Sequence, residues 1–206
     1  MTHTLAALWR RFRAPTRGQA LIETSLFLGI LLFLVVGTLE FGFVFDHHIT
    51  LEYATREGAR TGASLANGGG PLGCGAGQSP KAATVDPQII AAVERVVTAS
   101  GSDVDLDQVS QIRIFAAGTD GQELGPVNIW SYAPGAGPVV DGKALDFKAG
   151  AQSWAACSRT NGANPDSLGV RLTYTYRLRT AASALFGWAT IGMNDRTVMQ
   201  LNPTAP

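Results

Sequence analysis

The chain has 206 residues, 16 of them Lys or Arg and 16 Asp or Glu, for a formal net charge of zero. That length admits one folded domain plus an anchor, and a second full domain is not expected. Arg10, Arg11, Arg13 and Arg17 precede the first acid, so the chain after Gly18 holds 12 bases and 16 acids, a formal charge of four negative. No basic stripe remains there, which argues against nucleic acid as a partner.

Met1 to Gly18 reads as a short cytoplasmic leader. Pro15 keeps the residues before it from continuing a helix, and Thr16 suits a helix cap. From Leu21 to Phe45 the chain is almost wholly apolar, without a charge between Leu26 and Leu39. As one helix this stretch measures ~37 Å. A bilayer core of ~30 Å is crossed by such a helix with some tilt. The buried helix of a soluble domain is rarely apolar all round for this long. The stretch is therefore a predicted transmembrane span, at about residues 21–45. The arginines before it place the N-terminus in the cytoplasm and everything after Phe45 outside, by the positive-inside rule. A cleaved export signal has a shorter apolar region and a small-x-small site after it. Here Glu40, Phe41, Phe43 and Phe45 follow, which suit a membrane interface.

Glu23 lies near the cytoplasmic end of the span. A carboxylate there is costly unless it reaches water or a partner, and burial alone leaves both open. Gly18 is followed by Gln19-Ala20-Leu21-Ile22-Glu23, which puts the acid fifth after the glycine. This resembles the processing site of type IV prepilins: a basic leader, a Gly, the cut, then an apolar helix with Glu at its fifth position. Two further segments, Glu40-Phe41-Gly42 and Ala54-Thr55-Arg56-Glu57-Gly58-Ala59-Arg60, follow in order. Together the three resemble the TadE-like family of pseudopilins over Arg17 to Gly62. The departure is Thr55, where the family usually has Ala; the two differ modestly in helix propensity. Beyond Gly62 the resemblance is loose.

The resemblance implies cleavage between Gly18 and Gln19 by a prepilin peptidase. It implies a chain held in the cytoplasmic membrane by one span, and incorporated into, or priming, a tight-adherence-type pilus or related secretion machine. The implied partners are other pilin or pseudopilin subunits and the assembly platform. Glu23 is then the assembly residue, paired with the N-terminal amine of a neighbour. Replacement of Glu40, near the outer interface, is expected to do less.

Past Phe45 the helical spacing continues through Ile49, Leu51, Tyr53 and Ala54, so one helix is expected from about residue 21 to 65. Glu52 with Arg56, and Glu57 with Arg60, are helical ion pairs. Ala54, Gly58 and Gly62 make a small-residue face, read either as a site of close approach or as part of an ordinary solvated helix. Asn67 to Gln78 is Gly-rich, without the Lys-Ser/Thr of a phosphate loop. Asp86, Pro87 and Gly101 predict a second helix capped at Asp86, with Ile89, Ile90, Val93, Val96 and Val97 as its apolar face. Strands are expected at Gln111 to Ala116 and Val127 to Tyr132, bracketed by turn residues Gly125-Pro126 and Pro134-Gly135. Asp141 to Asn164 reads as irregular, with one helical turn near Trp154. Leu168 to Thr180 alternates strictly, which predicts a strand with one buried and one wet face. Arg171, Arg177 and Arg179 on the wet face are either solvated or a site for an acidic partner. Leu185, Phe186, Trp188 and Ile191 turn toward the membrane or cover the sheet edge, and Arg196 to Leu201 is a last strand.

Cys74 and Cys157 both fall on the expected outer side, where disulfides persist. Paired, they would close a loop of about 80 residues, worth ~4 kcal/mol in the chain-entropy model. His47 and His48 adjoin Asp46, with Glu52 a turn later. Adjacent helical positions orient their rings apart, and they read as interfacial polar residues rather than a metal site. No Gly-x-Ser-x-Gly occurs and neither cysteine has a nearby histidine, so no cofactor and no catalysis are expected. The fold expected is α+β: a cytoplasmic leader over 1–18, a long helix over 19–65, and an extracytoplasmic domain with an antiparallel sheet over 66–206. The alternative to a pilin is a permanently anchored single-pass protein whose outer domain binds a ligand or envelope component. The two readings differ at the Gly18–Gln19 bond.

Overall fold

The computed structural model describes residues 17–65, 82–162, 164–180, 187 and 189–201. The leader before Arg17, the Gly-rich segment with Cys74, and residues 181–186 and 188 lie outside the described residues. Helix α1 runs unbroken over Arg17–Ser64, 48 residues, or ~72 Å. Its first part is exposed on every side, from Leu21 through Leu34. From Glu40 outward one face is buried, through His47, Leu51, Ala54, Thr55 and Ala59. The same helix is thus a bare apolar rod at one end and a structural member of the domain at the other.

Helix α2 spans Ala82–Val97 and packs along α1. It starts a turn before the expected cap, so Asp86 and Pro87 lie inside it. Pro87 removes one backbone donor, a loss best tolerated close to a helix start. Asp86 does not cap because its carboxylate is used elsewhere: it pairs with Arg159 at 2.7 Å and accepts from Asn128 Nδ2 at 2.6 Å. Arg159 is fully buried, with its guanidinium 4.5 Å from the Trp154 ring centroid.

The five-stranded sheet is antiparallel throughout, in the order β5-β2-β1-β6-β7. The strands are β1 (Val109–Ala117), β2 (Glu123–Tyr132), β5 (Phe147–Gln152), β6 (Ser167–Arg177) and β7 (Thr190–Gln200). A separate short hairpin joins β3 (Val139–Val140) to β4 (Lys143–Ala144). Its turn is Asp141-Gly142, both at positive φ, the pairing that a tight hairpin favours. The stretch read as irregular, Asp141 to Asn164, therefore holds the hairpin turn, β4 and β5, and only the turn at Ala156–Ser158, beside Trp154, matches the expectation. The strand β2 also runs through Gly125-Pro126 instead of starting after it. The register slips between Phe115 and Ala117, and the bulge accommodates the proline.

Alternation on β6 is as expected: Leu168, Val170, Leu172, Tyr174 and Tyr176 are buried. They face α1, which packs on β6 and β7. The small-residue face of α1 is a site of close approach. A Cβ on Gly58 would lie 2.7 Å from Val93 Cγ2, and one on Gly62 would lie 2.9 Å from Ile89 Cδ1.

Candidate functional site

Two parts of α1 carry groups whose chemistry matters: its exposed beginning and the point where it enters the domain. At the beginning, Gly18 and Gln19 lie in the first turn, and a Cβ on Gly18 would meet nothing within 4 Å. Gln19 Nε2 donates to Glu23 Oε1 at 3.0 Å across one turn. Both residues are exposed, at the start of a helix that also exposes Leu21, Ile22, Leu26 and Phe27. The isolated chain thus holds Glu23 by a neutral donor from the residue that cleavage after Gly18 would turn into a new N-terminus.

The entry point is built around Glu40, which the apolar run conceals as its closing residue. It is 5% exposed. Oε1 accepts from the Tyr176 hydroxyl at 2.6 Å and from Arg179 N–H at 3.0 Å, and Oε2 accepts from Thr180 N–H at 2.9 Å. Both oxygens are satisfied by the end of β6, so an acid at the mouth of an apolar helix carries fixed donors with it. Burial, and then the Glu40 carboxylate, push the Tyr176 phenol above its ordinary value, which keeps it a donor.

Two turns on, His47 is buried between the rings of Tyr176 and Tyr174, with centroids at 4.9 and 5.7 Å. Its Nδ1 lies 2.8 Å from Phe43 O and its Nε2 3.0 Å from Asp103 O. His47 is therefore a strut between α1 and the segment before β1, not an interfacial group. Among the described residues no group of three or more His, Cys, Asp or Glu could hold a metal.

Thr55 is the third fastening. It is fully buried, and its hydroxyl donates to Asp195 and lies 3.0 Å from Thr197 Oγ1. The departure from the family pattern that propensity alone makes trivial here ties α1 to β7. The rest of that segment divides by face: Ala54, Gly58 and Ala59 are buried, while Arg56 pairs with Glu52 at 2.6 Å and Arg60 with Glu57 at 2.7 Å outside.

Cys157 is half-buried and lines a cleft of about 390 Å³ together with Ala82, Pro87 and Trp130. Its expected partner, Cys74, lies outside the described residues. Glu40, His47 and Thr55 stand out in the sequence, but not as fastenings of α1 to the domain, since the partner each meets across the fold is more than 50 positions away.

Residues 18–60 match the model of the TadE family, described as TadE-like protein. The matched residues begin at Gly18 and take in Glu23, Glu40, His47 and Thr55. No curated protein and no solved structure matches the chain. The helix they form is long and apolar enough to cross a membrane.

Proposed function

We propose that this chain is a pilin-like subunit or assembly factor of a tight-adherence-type pilus, or of a related secretion machine, and acts structurally rather than catalytically. The observation that carries this reading is the position of the TadE-like match. It covers an unbroken helix that begins at Gly18, is apolar and exposed on all sides through its first half, and enters its domain only at Glu40. Four arginines before the span keep the N-terminus inside and the sheet domain outside. A prepilin peptidase cuts between Gly18 and Gln19, which leaves an α-amine one turn from Glu23. In the membrane Glu23 reaches the wet interface. In a packed bundle of such helices it has no water, and the amine of a neighbouring subunit replaces the Gln19 amide as its partner. Truncating one member of a buried ion pair costs ~3–5 kcal/mol.

The test is the variant Glu23→Ala, expressed with the other pilus components. It is expected to insert and be cleaved as the wild type, yet to be depleted from sheared pili and from complexes with partner subunits. Recovery at the wild-type level, with cleavage intact, overturns the role of Glu23. A permanent anchor for a ligand-binding domain, the alternative, keeps its leader.

A further inference from the structure

The outer face of the sheet, away from α1, carries an arginine row. Arg113 on β1 is paired in register with Arg171 on β6, and Arg171 with Arg196 on β7. Adjacent strands lie ~4.8 Å apart, and like charges directly opposite across strands oppose each other. One acid meets the row: Glu123 pairs with Arg113, and with Arg171 at 3.2 Å. Arg196 is exposed and donates to the neutral Gln122 at 2.8 Å. The guanidinium of Arg171 is held 5.2 Å from the Phe115 ring centroid. That ring fills the place of a side chain on Gly169, where a Cβ would lie 2.2 Å from it. Arg171, Asn194, Asp195 and Arg196 line an open cleft of about 400 Å³, where the Asp195 carboxylate is engaged by the Thr55 hydroxyl. The row therefore keeps two formal positive charges in excess over Glu123, on a fixed platform.

The complement is on the same molecule, at another height. Asp103, Asp105 and Asp107 are all exposed, alternating with the buried Val104 and half-buried Leu106 in the segment before β1; Arg179 pairs with Asp103 at 3.0 Å, so Asp105 and Asp107 carry the strip's excess negative charge. Asp103 O meets His47 on α1, whereas Asp195, beside Arg196, meets Thr55. Along a helix His47 and Thr55 differ by about 12 Å. The end of the span at Phe45 lies roughly 15 Å below Thr55, which keeps lipid headgroups away from the arginine row.

We propose that the arginine row of one copy binds the Asp103–Asp107 strip of a second copy, displaced outward along its helix axis by about 12 Å. The contact is head-to-tail, with a different patch on each side, so repeating it extends a stack and does not close a pair. Copies resting at equal depth in a membrane bring acid strip level with acid strip and cannot form it. The contact thus belongs to subunits lifted past one another, which deepens the pilin-like reading and rests on it.

Two differently tagged full-length copies, co-expressed with the pilus components, test this. Arg196→Asp in both copies is expected to reduce their co-purification from sheared pili about tenfold. Asp107→Arg in both should do the same. One copy with Arg196→Asp beside one with Asp107→Arg is expected to restore it, because every contact in an alternating stack is then complementary. Unchanged recovery of the Arg196→Asp pair overturns the contact, and so does a loss that the mixed pair does not repair, which assigns the row to another acidic partner. Arg196→Gln, gentler on the edge strand, is expected to give a smaller loss, and no loss there also overturns it. Leader removal is read in the same samples. A chain that begins at Gln19 but shows no rescue defeats this contact and leaves the proposed function standing. A chain that begins at Met1 defeats the proposed function.

Discussion

Tyr176 donates its hydroxyl to Glu40 at 2.6 Å across 136 residues of sequence, and so ties the last turns of the apolar helix to the end of β6. Two backbone donors, from Arg179 and Thr180, complete the shell.

Removing the acid strands three donors, whereas removing the phenol hydroxyl strands none. Glu40→Ala is therefore expected to cost about 3 kcal/mol of domain stability, and Tyr176→Phe about 1 kcal/mol. Urea unfolding of the detergent-solubilised chain, followed by tryptophan fluorescence, reads both. Equal costs would mean that the carboxylate is hydrated and not held. Glu40 is consequently no neutral control for Glu23: it bears on the fold, whereas the role proposed for Glu23 is in assembly.

The close approach of α1 and α2 makes a graded prediction. A methyl on Gly58 meets the stiff side chain of Val93, while one on Gly62 meets the ends of the flexible Ile89 and Leu168 side chains. Overpacking costs ~1–3 kcal/mol, and replacing helical Gly by Ala returns ~1 kcal/mol. Gly58→Ala should thus destabilise, and Gly62→Ala should be near neutral. The reverse order in the same unfolding measurement would contradict the packing described.

At Thr55 the expected effect opposes helix propensity. Thr55→Ala gains up to ~0.7 kcal/mol of helix propensity. It also leaves Asp195 without the donor that α1 supplies, a loss of about 1–2 kcal/mol. Net destabilisation is expected, and should largely disappear in the double variant Thr55→Ala with Asp195→Ala. A stabilised single variant would show that the hydroxyl contributes nothing.

Glu94 predicts a pH dependence. It is 2% exposed. Its Oε1 accepts from Asp146 N–H at 2.8 Å, and its Oε2 has no hydrogen-bond partner among the described residues. Burial raises its carboxyl above the ordinary 4.5; the Asp146 charge adds to this, and Lys143 opposes it. Between 4.5 and the raised value the folded chain binds more protons than the unfolded one, so stability falls as pH rises through that window. Glu94→Gln should remove that part of the fall. Unfolding midpoints measured from pH 4 to 8 compare the slopes, and identical slopes would place the carboxyl in water.

What could be read in advance was periodic. The apolar run, the alternation of Leu168 to Tyr176 and the spacing of Ala54, Gly58 and Gly62 each repeat with the period of their element. Each then appears in the fold where that period puts it. Asp141-Gly142 was a readable hairpin signal, lost because the strands it joins are only two residues each and show no alternation. Other features depended on distant partners and had no local signature. Asp86 looks like a cap until Arg159 claims it, and Glu40 looks like an interfacial acid until Tyr176 reaches it. Thr55 looks like a small change in propensity until β7 places Asp195 beside it. The strand β5, mostly exposed, owes its place to pairing with β2 more than to its own residues.

The central claim turns on one bond. Extracting the protein from its native membrane, with its peptidase present, and sequencing its N-terminal peptide by mass spectrometry addresses that bond directly. The account predicts a chain that begins at Gln19, and one that keeps its leader when Gly18→Val blocks the site. Protein that still begins at Met1 in the unsubstituted chain would contradict it.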